Sequence, residues 1–150
     1  MNDATLTFIG GGNMAASLIG GLVADGWDPA RIRVADSVPG QRERMAARYQ
    51  VTTTPDNAAA VSGAVAVVLA VKPQVMSAVV QQLAAAVAQQ QPLVISIAAG
   101  IRATTLRDWL GKDAAIVRAM PNTPALVQSG ATGLYANAAV SEQQRSLAES

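Results

Sequence analysis

Residues 64–71 read AVAVVLAV, eight positions without one polar side chain. A run like this has no face to give to water, so both its faces must be covered. It is far too short to cross a bilayer, which takes about 20 residues. What remains is a central strand of a parallel sheet with helices packed on both sides. The composition points the same way. Hydrophobic residues make up 51% of the 150 positions and aromatics only 3%. A core of Val, Ala and Leu suits buried strands under closely packed helices, and does not suit a sandwich built on aromatic anchors.

The rest of the chain alternates around that run. Strands are predicted at 6–9, 31–36, 51–54, 93–100, 114–120 and 132–136, besides 64–71 itself. Helices are predicted at 13–24, 40–49, 57–61, 74–89 and 104–110, with a polar helix beginning near Ser141. In the first helix Leu18, Leu22 and Val23 are expected toward the core. In the fourth, Met76, Val79, Val80, Leu83 and Val87 recur at helical spacing. Alternation of this kind predicts a mostly parallel, doubly wound sheet with helices on both faces. No internal repeat interrupts it, so the 150 residues are read as one α/β domain.

Several chemistries are excluded outright. The chain has no cysteine and no histidine, which removes disulfides, thiol nucleophiles, histidine bases and ordinary zinc sites. Its 11 basic and 10 acidic residues are dispersed, with no basic run, so no nucleic-acid surface is expected. The first ten residues lack the basic and apolar regions of a signal peptide, and a cytoplasmic protein without a membrane segment is expected.

Ligands of open α/β sheets bind beyond the carboxyl ends of the strands. Five strand ends stand out. The first strand runs into Gly10-Gly11-Gly12-Asn13-Met14-Ala15, which fits G-x-G-x-x-A after a strand and before a helix. Gly10 would make the tight turn, Gly12 would admit a pyrophosphate, and Ala15 would let helix and strand pack closely. That is the phosphate loop of a Rossmann-type fold, although a simple turn without ligand uses glycine too. The second strand ends at Asp36, where an acid accepts hydrogen bonds from an adenosine ribose. A carboxylate there favours NAD and repels a 2′-phosphate, while Ser37, Arg42 and Arg44 follow closely and soften that choice; the alternative is a solvated turn aspartate. The third end is Ala70-Val71-Lys72-Pro73, compact residues that allow backbone to approach a cofactor ribose, with Pro73 suited to open a helix. Lys72, one of two lysines, is as compatible with plain solvent as with a ligand. The fourth, Ser96 to Gly100, offers small residues against which a flat ring can lie, or merely tight packing. In the fifth, Pro121 and Pro124 stiffen a loop around Asn122 and Thr123, which suits a substrate wall or an ordinary crossover.

Taken together, FIGGGNMAASLIGGL, AVKPQ, SIAAGI and RAMPNTPA, in this order and spacing, resemble the pyrroline-5-carboxylate reductases, from residue 5 to about residue 137. The resemblance implies reduction of the C=N bond of 1-pyrroline-5-carboxylate to L-proline by NADPH or NADH, the last step of proline biosynthesis. It implies that Ile9, Gly10, Gly11, Gly12, Asn13 and Met14 embrace the pyrophosphate. Asp36 would face the adenosine ribose, and Asn57 the adenine side. Ala70, Val71, Lys72 and Pro73, with Ile97, Ala98 and Ala99, would line the nicotinamide half. Asn122 and Thr123 would border the substrate. Many members carry Ser or Asn-Arg where Asp36 stands, and those commonly use NADPH. No catalytic side chain and no metal ligand is assigned to this chain. The resemblance further implies a second, helical domain beyond residue 150 that supplies the proton donor and builds a homo-oligomer. Two other readings stay open: a non-catalytic dinucleotide-binding regulatory module, or another imine or hydroxyacid reductase of the same superfamily.

Overall fold

The computed structural model describes residues 5–97, 101, 103–111, 114–120 and 133–136. Within them the chain forms strands β1 (Leu6–Ile9), β2 (Ile32–Ala35), β3 (Thr52–Thr54), β4 (Ala66–Leu69), β5 (Leu93–Ser96), β6 (Ala115–Met120) and β7 (Gly133–Ala136). The helices are α1 (Asn13–Ala24), α2 (Pro39–Tyr49), α3 (Asn57–Val61), α4 (Pro73–Gln90) and α5 (Ala103–Leu110). The strands make one sheet in the order β3-β2-β1-β4-β5-β6-β7. Pairs are parallel from β3 to β6, and β7 adds to β6 antiparallel. The strand order reverses between β1 and β4, which puts the topological switch point there. The expected polar helix near Ser141 and the loop at 121–124 lie outside the described residues.

The period of two along each strand divides the core into two layers. Leu6 and Phe8 of β1 point to one face with Val34, Ala66, Val68 and Leu93, under Ala15 and Ile19 of α1 and Met45 of α2. Ile9, Val67, Leu69, Val94 and Ile116 point to the other, under Met76, Val80, Leu83 and Val87 of α4 and Leu106 of α5. In α1 Ala15 and Ile19 are fully buried, and Leu18, Leu22 and Val23, expected toward the core, pack against the same cluster partly buried. A methyl on Gly20 would lie 3.3 Å from Tyr49 Oη, so α1 and the last residue of α2 meet closely there.

Two strands are shorter than their apolar runs suggest. Of the predicted 64–71, only Ala66–Leu69 pairs as strand, because residues 64 and 65 come out of the turn after α3 and 70–72 bend into α4. Of the predicted 93–100, Leu93–Ser96 is strand. Arg31 belongs to a short 3-10 turn, Pro29–Arg31, capped by the Asp28 carboxylate on Ala30 N–H at 3.0 Å. Helices α2 and α4 begin at Pro39 and Pro73, the first-turn position where the missing N–H costs nothing. They stop at Gln50 and Gln91, both left-handed, with φ of 61° and 52°.

One buried polar group on β1 ties α3 down. Thr7 is fully buried, and its hydroxyl donates to Ala60 O at 2.6 Å. Arg33 on the neighbouring strand donates to the same oxygen at 3.0 Å and to Ser62 O. Thr7→Val keeps the shape but removes one donor, while Arg33 still serves Ala60. The expected loss is about 1 kcal/mol, read as a lowered urea midpoint at unchanged slope.

Candidate functional site

Register sets the site. Ile9 lies opposite Ala35 on one side and Leu69 on the other. Ala35 lies opposite Thr54, and Leu69 opposite Ser96. The carboxyl ends of β3, β2, β1, β4 and β5 are therefore level. The residues that follow them, Pro55, Asp36, Gly10, Ala70 and Ile97, emerge in one row along the edge where open α/β sheets take ligands. Backbone bonds continue past the strands: Gly10 N–H donates to Ala35 O at 2.7 Å, Ala70 N–H to Ile9 O at 2.8 Å, and Ile97 N–H to Leu69 O at 3.4 Å.

The three glycines differ in what requires them. Gly10 has φ of +103°, and a Cβ there would sit 2.8 Å from Ala70 O and 3.1 Å from Val71 Cγ1. The turn after β1 is pressed onto the turn after β4, and only glycine fits between them. Gly11 is buried, and its N–H donates to Asp36 Oδ2 at 2.7 Å. Gly12 precedes Asn13 as the N-cap of α1, in ordinary extended conformation (φ −79°, ψ −166°), with no side-chain cap. Among the described residues, a Cβ on Gly12 would meet nothing within 4 Å. Amide N–H groups at a helix start are orphan donors suited to an anion.

The other expected site residues that the structure describes sit at strand ends and helix starts. Ile9 is buried at the end of β1, Asn13 opens α1, and Met14 is half-buried beside it. Asp36 is half-buried; Ser37 and Arg44 are exposed beyond it, while Arg42 is partly covered, its Nε buried and without a hydrogen-bond partner among the described residues. Asn57 opens α3 after the β3 end, and its Nδ2 donates to Gln82 Oε1 at 3.3 Å. Ala70 and Val71 are half-buried; Lys72 is the exposed N-cap of α4, followed by exposed Pro73. Ile97 is half-buried after β5. Ala98, Ala99, Asn122 and Thr123 lie outside the described residues. Ala15 is fully buried against the sheet, as the third position of the glycine motif requires. Among the described residues no group of three acidic side chains is placed to hold a metal ion.

Two participants escaped the sequence reading. Val38 N–H donates to Asp36 Oδ1 at 2.8 Å, and Asp36 N–H donates to Thr54 O at 3.1 Å. The first is the turn an aspartate makes with the amide two residues on, and the D-x-x-P spelling before α2 carries that signal.

Residues 5–100 match the family described as NADP oxidoreductase, coenzyme F420-dependent. The chain belongs to that family. Among curated relatives, a pyrroline-5-carboxylate reductase of Pseudomonas aeruginosa is 52% identical over 144 residues, covering 96% of this chain and 52% of that protein. The Escherichia coli protein of the same name is 36% identical over 142 residues, covering 94% of this chain and 52% of its own. The chain thus spans about half the length of the curated relatives it matches. A solved pyrroline-5-carboxylate reductase from Coxiella burnetii superposes with a TM-score of 0.92 at 44% identity, over 98% of this chain and 54% of that one. A prephenate dehydrogenase from A. aeolicus, 14% identical, superposes at 0.76 over 99% of this chain and 56% of its own, which shows that the fold is shared far more widely than the sequence. Among the described residues no helix is long and apolar enough to cross a membrane.

Proposed function

We propose that this chain is the cofactor-binding part of a pyrroline-5-carboxylate reductase, which reduces the C=N bond of 1-pyrroline-5-carboxylate to L-proline with NADPH or NADH. The observation that carries the reading is the level row of strand ends, with space beside Gly12 that no other described residue fills. Support for this substrate rests on the 52% identity to the Pseudomonas aeruginosa enzyme across nearly the whole chain. When bound, a dihydronicotinamide would supply the hydride. The chain's own contribution is placement. Ile9 to Met14 would embrace the pyrophosphate, with the amides from Gly12 to Met14 toward it and the Gly11 amide held by Asp36, which would lie toward the adenosine ribose. Asn57 would border the adenine side. The turn from Ala70 to Pro73, with Ile97, Ala98 and Ala99, would line the nicotinamide half. Asn122 and Thr123 would edge the substrate. Partly covered Arg42 offers a cation to a 2′-phosphate, which supports use of both dinucleotides. The chain has no histidine or cysteine to protonate the imine nitrogen. In this reading the proton, and the contacts of a homo-oligomer, come from a second domain, and the enzyme works in the cytoplasm.

The test is turnover by the whole protein. Loss of reduced-nicotinamide absorbance with 1-pyrroline-5-carboxylate should match formation of L-proline mole for mole. Tight binding of NADPH or NADH without any such turnover would favour the regulatory module instead.

A further inference from the structure

Asp36 is placed to do more than read a ribose. Both of its carboxylate oxygens are engaged within the protein: Oδ2 by Gly11 N–H at 2.7 Å and Oδ1 by Val38 N–H at 2.8 Å. The first bond joins the middle of the glycine loop to the end of β2. The second shapes the entry to α2, which starts at Pro39. The loop is also pressed against this corner, since a Cβ on Gly11 would lie 3.2 Å from Asp36 Oδ2 and 3.2 Å from Val34 Cγ1. Asp36 itself is held by its own N–H on Thr54 O at 3.1 Å. Three glycines in a row would otherwise leave the loop many conformations, of which few present their amides together. Bonds from amides to a carboxylate are among the stronger ones available to fix it. Each carboxylate oxygen also keeps a second acceptor site, so ribose hydroxyls and loop amides can be served at once.

We propose that Asp36 is a positioning residue for the pyrophosphate: by holding Gly11 N–H and Val38 N–H it fixes the glycine loop in its anion-receiving shape, whichever dinucleotide binds. The proposal rests on the dinucleotide reading of the site. It separates from a ribose-only role by ligand. A loop that spends less time in the receiving shape weakens every pyrophosphate ligand by the same factor. A lost ribose contact weakens only ligands that carry the hydroxyls.

The experiment is calorimetric titration of the whole protein and its Asp36→Ala and Asp36→Asn variants with ADP and with 2′,3′-dideoxy-ADP. Dideoxy-ADP should bind Asp36→Ala about tenfold more weakly than the parent. Asp36→Asn, which keeps the size and one acceptor oxygen, should recover part of that loss. Exchange of the Gly11 amide with solvent deuterium should quicken in Asp36→Ala without ligand. Should Asp36→Ala fail to fold, a two- to fivefold loss for dideoxy-ADP in Asp36→Asn decides the matter, on the order of half the bonding removed. Parent-like affinity of the folded variants for dideoxy-ADP, with ADP alone weakened, would overturn the proposal. A parent protein that binds neither ligand would overturn the dinucleotide reading itself, and the proposal with it.

Discussion

Gly10→Ala will lower stability by about 3 kcal/mol or more and will abolish dinucleotide binding with it. Two penalties add at this position. A φ of +103° is a conformation that L residues adopt only under strain. The new methyl would also sit 2.8 Å from Ala70 O and 2.9 Å from the Ala70 carbonyl carbon. Those atoms are backbone, held by Ala70 N–H on Ile9 O, and cannot rotate away as a flexible side chain would. Relief requires the β1 and β4 turns to part at the switch point of the sheet. Chemical denaturation reads the stability loss, and nucleotide titration of whatever remains folded reads the second effect. A variant within 1 kcal/mol of the parent would mean that the two turns are not in contact in solution.

Gly12→Asp, two residues on, should behave in the opposite way. Its backbone is ordinary, and its Cβ would meet no other described residue within 4 Å. Aspartate is a good N-cap where the chain now has none, and a negative charge favours the start of a helix. Stability should be unchanged or raised by up to about 1 kcal/mol. Yet the carboxylate would occupy the anion position over the α1 amides and repel a pyrophosphate. NADPH and NADH affinity should fall more than about 100-fold, close to 3 kcal/mol of binding. The two glycines thus separate shape from ligand: one is needed for the fold, the other only for what binds. Retention of affinity within threefold would remove the glycine loop from the phosphate site.

Much of this was legible in the order of residues. The all-apolar run at 64–71 demanded a two-sided cover, and β4 lies at the centre of the sheet between β1 and β5. The spelling around Gly10, Gly12 and Ala15 assigned each a separate duty, and the steric surroundings of Gly10 and the burial of Ala15 match those duties. Strand ends were harder to read, because composition does not say where pairing stops. Residues 70–71 are as apolar as residues 66–69, but they turn into the site once Pro73 opens α4. Least visible was the link between Gly11 and Asp36. Their separation in sequence is bridged only by the parallel register of β1 on β2, a long-range fact that no local pattern encodes. The same holds for Thr7, whose hydroxyl reaches Ala60 O only because α3 lies over β1, a contact between residues 53 apart in sequence.

The central claim is that this level edge of strand ends is a dinucleotide site. It is tested most directly by titrating the folded protein with NADPH and NADH, with Gly12→Asp measured alongside. The expected result is saturable binding of at least one cofactor, with a Kd on the order of micromolar, lost in a Gly12→Asp protein that melts no lower than the parent. Folded parent protein that shows no saturable binding of either cofactor, or a stable Gly12→Asp protein that binds as the parent does, would contradict it.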